Sequence, residues 1–218
     1  DVMMPVMDGL ALCRELKRTP ETSHIPVIML TSKGSVESQM EGLETGADDY
    51  VTKPFHMVLL ETRIQNLLES RRRLRERFSR QLAPAAAGPE TPAAAETSLA
   101  HSAVDREFWE KVTVTLDARA GDPDFSPELL AAAVHMSQRS LQRKVKALTD
   151  LTPVRLISEF RLKRAAKLLR ETPMTVTDIA FESGFNDLSH FYRLFKKVYG
   201  VRPSHYRDEE PRPAHEQA

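Results

Sequence analysis

The chain has 218 residues with 31 basic and 31 acidic side chains, and its length allows one large or two small domains. One cysteine, Cys13, excludes an internal disulfide and is typical of a reducing compartment. No run approaches the ~18 apolar residues that a membrane span needs, so we expect no membrane contact from these residues.

The charge is distributed unevenly along the chain. Residues 1–70 hold six basic and eleven acidic side chains, which gives a net charge of −5. Residues 126–207 hold fifteen basic and seven acidic side chains, which gives a net charge of +8. This second region is therefore predicted to bind a polyanion.

Residues 1–81 alternate short apolar runs with helical patterns. HIPVIML at 24–30 and DYVTKPF at 49–55 predict strands, and the sequence between them predicts a helix that ends at Gly46. A further helical pattern begins before Ile64 and continues far beyond any core. Apolar strands separated by helices predict a parallel sheet covered on both faces, as in a doubly wound α/β domain.

Three side chains of different chemistry stand at or near predicted strand ends. Thr31 closes the first strand and Lys53 closes the second, while Asp1 opens the motif Asp-x-x-Met-Pro-x-x-Asp-Gly. The carboxyl ends of parallel strands line one crevice. The combination suits phosphoryl transfer to a carboxylate, because aspartate can act as the nucleophile while lysine and a hydroxyl bind phosphoryl oxygens.

These residues resemble the response-regulator receiver domain. The resemblance implies that Asp1 is the phosphoacceptor of a histidine kinase and that Thr31, Tyr50 and Lys53 are switch residues. It also implies a cis peptide bond between Lys53 and Pro54.

The resemblance further implies Mg²⁺ as the cofactor of an intact receiver. Receivers begin with a strand that carries an acidic pair for the metal, and that part of the pattern is not present. We therefore expect a truncated receiver with an incomplete metal site, made of the Asp1 carboxylate and the Met3 carbonyl. Such a fragment is expected to retain no Mg²⁺ and to accept no phosphate.

Three stretches are predicted to lie outside the packed domains. The run RRRLRERFSR at 71–80 holds six arginines and one glutamate, which favours the solvated end of a long helix over a DNA contact. Residues 82–104 are rich in alanine and proline and predict a flexible linker that spans roughly 25 Å. Residues 208–218 predict a disordered tail.

Residues 105–207 are predicted to form a stack of short helices, because capping residues recur at short intervals. The N-cap candidates are Ser126, Ser137, Thr152, Thr175 and either Asn186 or Asp187. Proline follows two of them at the first helical position. Gly184 and Gly200 predict left-handed helix stops.

Two stretches about fifty residues apart resemble each other, LAAAVHMSQRSLQRKVK at 130–146 and IAFESGFNDLSHFYRLFKK at 179–197. Each predicts a short helix, a tight turn and a second helix, which is the helix-turn-helix plan. Between them, Leu162, Ala165, Ala166 and Leu169 form an apolar stripe, so a rigid connecting helix is expected. This helix would hold the two reading helices at a fixed separation. Such an arrangement suits two successive major grooves on one face of DNA, which lie ~34 Å apart.

Residues 126–207 resemble the AraC-type DNA-binding domain. The matching residues are RLKRAAKLL and VTDIAFESGFNDLSHFYRLFKKVYGVRPSHYR. The resemblance implies an all-α domain with two helix-turn-helix units that binds double-stranded DNA. The chain departs from it at Leu151, where similar sequences carry glycine.

Candidate DNA-binding side chains occupy one face of each predicted reading helix. They are Ser137, Arg139, Gln142, Arg143 and Lys146 in the first, and Ser189, His190, Arg193 and Lys197 in the second. Arginine and glutamine read guanine and adenine edges through paired hydrogen bonds. The lysines, with Lys144 and Lys196, are expected to contact phosphate and to add affinity without sequence information.

Together these patterns predict a cytoplasmic response regulator of a two-component phosphorelay, which binds DNA, regulates transcription and has no catalytic activity. A histidine kinase would supply phosphate, and phosphorylation would favour a homodimer. One alternative is the carboxyl-terminal portion of a hybrid sensor histidine kinase that carries the same two domains. A third hypothesis is a protein-binding adaptor built from degenerate domains.

Overall fold

The computed structural model describes residues 1–32, 45–82 and 103–208. The first two ranges contain helix α1 (Gly9–Arg18), strands β1 (Ile28–Thr31) and β2 (Asp49–Thr52), and helix α2 (Met57–Leu82). The helix predicted to end at Gly46 lies mostly outside these residues, and Gly46 itself has a left-handed conformation, with a φ of 85°. Most of the predicted linker and tail also lie outside them.

The two strands are parallel, which confirms the α/β class of this segment. Ile28 pairs with Asp49, and Thr31 pairs with Thr52. Buried Met29 packs against the side chain of Cys13 from α1. Both strands are shorter than their apolar runs, because each run contains a proline, and proline has no N–H to donate to a strand ladder.

Residues 103–208 form the predicted all-helical region. Its helices are α3 (Ala103–Arg119), α4 (Pro127–Ala133), α5 (Gln138–Thr149), α6 (Pro153–Glu171), α7 (Val176–Glu182), α8 (Leu188–Tyr199) and α9 (Pro203–Asp208). The predicted N-caps are confirmed, since each of the following side chains accepts a backbone N–H: Ser126, Ser137, Thr152, Thr175 and Asp187. No described helix is long and apolar enough to cross a membrane.

Helix α6 contributes to two hydrophobic cores. Its first turns bury Leu156 and Ile157 in a core formed with α3, α4 and α5. Its later turns bury Leu162 and Leu169 in a second core formed with α7 and α8. The predicted apolar stripe is therefore core, and one helix connects the two helix-turn-helix units.

The two units share an unusual backbone turn as well as a sequence pattern. His135 in the first unit and Gly184 in the second have positive φ values of 56° and 85°. The residue after each donates its N–H to a buried alanine of the preceding helix, at 2.9 Å to the carbonyl of Ala131 and 3.0 Å to that of Ala180. The two units therefore share this backbone conformation as well as their sequence pattern.

The reading helices also end in the same way. Asp150 after α5 and Gly200 after α8 have φ values of 60° and 77°. Their N–H groups donate to the backbone carbonyls of Lys146 and Lys196, respectively, at 2.9 Å each. The left-handed residue of the first unit is therefore Asp150, which tolerates this region better than most side chains do. Leu151, where the resemblance favours glycine, is instead buried in the first core.

We expect Gly184→Ala to destabilise the chain far more than Gly200→Ala. A Cβ at 184 would lie 2.3 Å from the Ala120 carbonyl oxygen, whereas one at 200 would meet nothing within 4 Å. Both variants carry the left-handed backbone cost of about 1–2 kcal/mol, and Gly184→Ala adds about 1–3 kcal/mol of overpacking. Urea unfolding of both variants measures the difference, and equal losses would contradict this account.

Candidate functional site

The structure brings two of the predicted receiver residues into contact at one edge of the sheet. Lys53 Nζ donates to Asp1 Oδ2 at 2.6 Å, and both side chains are more than one third exposed. Asp1 is held at the end of β1, since the next residue donates its N–H to the carbonyl of Leu30 at 3.0 Å. The Lys53 N–H donates to the carbonyl of Thr31, whose side chain is buried.

The last two residues of the Asp-x-x-Met-Pro-x-x-Asp-Gly motif fold the segment back onto Asp1. Asp8 accepts the N–H of Ala11 at 2.7 Å and so caps α1. Gly9 lies so close to the first residue that a Cβ there would lie 2.0 Å from the Asp1 carbonyl oxygen. Gly9 is therefore required by a close backbone approach, which the sequence pattern alone does not reveal.

The receiver resemblance also concerns the Lys53–Pro54 peptide bond and the side chain of Tyr50. The peptide bond between Lys53 and Pro54 is cis, as the resemblance implies. Tyr50 is half-buried and packs against the small core around Met29 and Cys13. Its ring therefore belongs to the packing of this segment.

The donor groups present do not fit a Mg²⁺ site. Mg²⁺ prefers six oxygen ligands in octahedral geometry, usually with one or two carboxylates. The Asp1 carboxylate is already paired with Lys53, and Met3 offers only its carbonyl oxygen. In the part of the chain that the structure describes, no group of three or more His, Cys, Asp or Glu side chains is placed to hold a metal ion.

Each reading helix buries an apolar face in its core. Leu141 and Val145 of α5 have no exposed surface, and the same is true of Phe191 and Phe195 of α8, fifty residues later. Burial of such side chains contributes about 1.5–3 kcal/mol each. The reading helices are therefore held in place by the face opposite to their candidate DNA-binding side chains.

The opposite face carries the predicted readers of base edges and phosphate. The exposed members are Arg139, Gln142, Arg143 and Lys146 on α5, and Ser189, Arg193 and Lys197 on α8. Within the described ranges, none of the five cations among them takes part in an ion pair. Their charges are therefore available to a ligand from solution.

Two of the candidate side chains have partners within the protein. The Ser137 hydroxyl accepts the N–H of Ser140 at 3.1 Å as the cap of α5. The His190 ring is half-buried and meets the ring of Phe185 edge to face, with centroids 6.2 Å apart. Contact of either residue with DNA stays a prediction.

Lys144 does not lie where the sequence predicts. Its side chain is fully buried, and its ammonium group pairs with Asp105 of α3 at 2.8 Å and lies 4.7 Å from the ring centre of Phe108. The prediction that Lys144 contacts phosphate is therefore wrong for this structure. The internal repeat indicates that this position is buried, because the equivalent residue fifty positions later is Leu194, an apolar residue packed against the second core.

Two arginines in the quoted motifs stabilise the fold. Arg161 of α6 donates to the carbonyls of Ala120 at 2.9 Å and Asp122 at 2.8 Å, just beyond α3. Arg207 of α9 donates to the carbonyl of Leu169 at 3.3 Å and also to that of Met174. Both side chains satisfy backbone carbonyls next to helix ends, which lack partners within a helix.

Two family models match separate parts of the chain. Residues 1–65 match the response regulator receiver domain. Residues 130–209 match a helix-turn-helix domain. The matched ranges contain, respectively, the Asp1–Lys53 pair and both reading helices, and they agree with the two resemblances found in the sequence.

Known proteins similar to this chain differ in how much of it they cover. Histidine kinase P4 of Formosa agariphila is 36% identical over 208 residues, which are 95% of this chain and 14% of that protein. The phosphate regulon transcriptional regulatory protein PhoB of Rhizobium meliloti is 47% identical over 68 residues, which are 31% of this chain and 30% of that protein. The chain thus spans less than one third of either relative.

A solved structure is similar to the helical region. A probable AraC family transcriptional regulator from Rhodopseudomonas palustris is 28% identical, with a TM-score of 0.43. The match covers 49% of this chain and 99% of that one.

We expect acetyl phosphate to label Asp1 only at background level in this chain, with or without Mg²⁺. The reason is that one carboxylate, already paired with Lys53, does not supply the metal ligands that would neutralise the incoming phosphoryl group. Intact-mass measurement of the chain, with Asp1→Asn as the control, tests this. Stoichiometric labelling that disappears in Asp1→Asn would contradict it.

Proposed function

We propose that this chain is a sequence-specific DNA-binding transcriptional regulator under two-component control, because residues 1–65 match the response regulator receiver domain and residues 130–209 match a helix-turn-helix domain. One observation carries the proposal. Two reading helices, each with a buried apolar face and an exposed basic face, are joined by the single helix α6.

The exposed side chains fall into two chemical classes, which are suited to contact different parts of DNA. Arg139, Gln142 and Arg143 on α5 and Arg193 on α8 carry donors in the geometry that reads base edges in the major groove. Lys146 and the lysines near the end of α8 are suited to phosphate contacts, which add affinity and salt dependence. The net charge of +8 in residues 126–207 supports the same polyanionic partner.

The receiver segment supplies the regulatory input in this proposal. Asp1 is the phosphoacceptor, a histidine kinase is the phosphodonor, and Lys53 neutralises part of the −1.5 to −2 charge that phosphorylation adds. Thr31 and Tyr50 adjust to that charge, and a homodimer forms when the receiver is phosphorylated. The regulator acts in the cytoplasm and catalyses no reaction of its own.

A second candidate is that these residues form part of a hybrid sensor histidine kinase. It is supported by the similarity to histidine kinase P4, which runs through both segments and the region between them. The transcriptional regulators that are similar over 68 residues support the first candidate, but they cover only 31% of this chain. A kinase module encoded in the same reading frame before Asp1 would decide for the hybrid kinase.

The proposal predicts two classes of DNA-binding variants. Arg143→Ala or Arg193→Ala is expected to lose about 1–3 kcal/mol of discrimination between preferred and random DNA. Lys197→Ala is expected to weaken both equally and to reduce the salt slope by roughly one unit. The measurement is selection from a random duplex library that spans two major grooves, followed by titration at several salt concentrations.

Lys111→Ala is the matched control, because Lys111 is an exposed lysine of α3 that pairs with Glu107. Its affinity should equal that of the unmodified chain. Equal losses on preferred and random DNA for both classes of variants would reject the assignment of the arginines. Absence of any binding at low salt would reject the proposed function.

A further inference from the structure

The buried ammonium group of Lys144 has hydrogen-bond partners from both parts of the chain. It donates to the Pro20 carbonyl at 2.6 Å and to the Ser23 hydroxyl at 2.7 Å, and it pairs with Asp105 at 2.8 Å. A lysine ammonium has three N–H donors. Two of the three acceptors therefore come from the receiver segment, and only Asp105 comes from the helical region.

The segment that supplies these acceptors, residues 19–25, is here called the docking loop. Its Ser23 hydroxyl also donates to Asp105 at 2.7 Å, so the ion pair is bridged by the loop. Lys17 fixes the end of the loop by donating to the Ile25 carbonyl at 2.9 Å. The docking loop therefore presents two fixed acceptors to the buried ammonium group of Lys144.

Helix α2 also contacts the docking loop. Arg71 donates to the carbonyl of His24 and pairs with Asp48 at 2.7 Å. The backbone of α2 also approaches that of α5, with Cα atoms within 8 Å. The receiver segment therefore packs against the first reading helix along a loop and a helix.

The repeat indicates that Lys144 is specific to this contact. The second reading helix has Leu194 at the equivalent position, packed against its own core. A buried lysine is costly unless its charge is paired and hydrogen-bonded. At this position of α5 the charge is paired by Asp105 of α3, and the acceptors of the docking loop complete its hydrogen bonds.

The contact lies beside the face of α5 that carries the predicted base readers. In a helix of 3.6 residues per turn, Lys144 follows Arg143 by ~100° around the axis. A reading helix in the major groove, which is ~12 Å wide, has a phosphate backbone on each side. The docking loop contacts Lys144 through Ser23, and its His24 lies close enough to Arg143 to be affected by that charge. The loop therefore lies next to Arg143, where one of those backbones would lie.

From this geometry we infer that the docking loop holds the first reading helix in an autoinhibited position, and that DNA binding through α5 requires the loop to release Lys144. The inference rests on the proposed function, since it assigns a regulation to the same helices. Release exposes the Lys144 ammonium group to water, which replaces the Pro20 and Ser23 acceptors. Buried ion pairs are close to balanced against their solvation, so the docked state is suited to reversible opening.

Substitution of Ser23 by tyrosine tests the inference from the receiver side. Ser23 is fully buried, so Ser23→Tyr leaves no room for docking, whereas Ile25 of the same loop is exposed and Ile25→Tyr is the matched control. We expect Ser23→Tyr to bind a mixed-sequence duplex more tightly by roughly 5- to 150-fold, the usual range of coupling between sites. Ile25→Tyr should bind as the unmodified chain does.

Hydrogen exchange reports docking independently of DNA. Ser23→Tyr should exchange faster in the docking loop and in α5, while α8 keeps its protection. Faster exchange with unchanged or weaker DNA binding would overturn the inference and would indicate that the receiver segment extends the DNA-binding surface. Unchanged exchange would show that the loop is not docked in solution, which also overturns it.

Lys144→Leu, which copies the residue of the second unit, tests the same contact from the other side. It should tighten DNA binding in the same direction as Ser23→Tyr, and the two changes together should give no more than either alone. If no variant and not even the unmodified chain binds the duplex, the proposed function fails. Hydrogen exchange would still reveal the docked loop in that case, so the two failures are distinguishable.

His24 makes the docked state sensitive to pH. The ring is buried, and burial together with the charges of Lys144, Arg71 and Arg143 lowers the pKa of His24 from 6.5 to about 4, against an opposing effect of Asp105. A released His24 binds a proton below pH 6.5, whereas the docked ring stays neutral until about pH 4. Docking is therefore predicted to weaken as the pH falls through this interval.

The measurement is the protection of the docking loop at pH 7 and at pH 5, corrected for intrinsic exchange rates. We expect lower protection at pH 5, and we expect His24→Gln to remove most of this difference. A difference of the same size in His24→Gln would assign the pH dependence to other groups.

Discussion

The sharing of helix α6 between two hydrophobic cores is the constraint on which the helical region depends. Leu156 and Ile157 pack with the first helix-turn-helix unit, and Leu162 and Leu169 pack with the second. Protein cores are close-packed, so the helix cannot shift without losing contacts in both. The reading helices α5 and α8 are consequently held in one relative geometry, which reading two successive sites on DNA requires.

The two units are similar in backbone and different in their partners. Both have a left-handed residue in the turn and another after the reading helix, although only the second unit uses glycine at these places. Only the first has a buried cation, Lys144, which needs acceptors from outside the unit. The first reading helix thereby contacts the receiver segment, while the buried face of the second packs in its own core.

Local features of the fold could be predicted well from the sequence. The caps Ser137 and Asp187 act on backbone groups two or three residues away, so their effect is contained in a short stretch of chain. The apolar stripe of α6 was equally predictable, because its period matches that of a helix. The strands were predicted too long, since their apolar runs extend past the residues that pair in the ladder.

By itself, the sequence determined the two domain types, the capped helix starts between residues 126 and 187 and the Asp1–Lys53 edge, because these follow from motifs, capping residues and periodic patterns. Tertiary structure decided which cations of α5 are exposed. Arg143 and Lys144 are neighbours with the same charge, yet one faces solvent and the other is buried against Ser23, 121 residues away in the chain. Burial depends on which distant segment packs against a helix, and a local pattern carries no record of that segment.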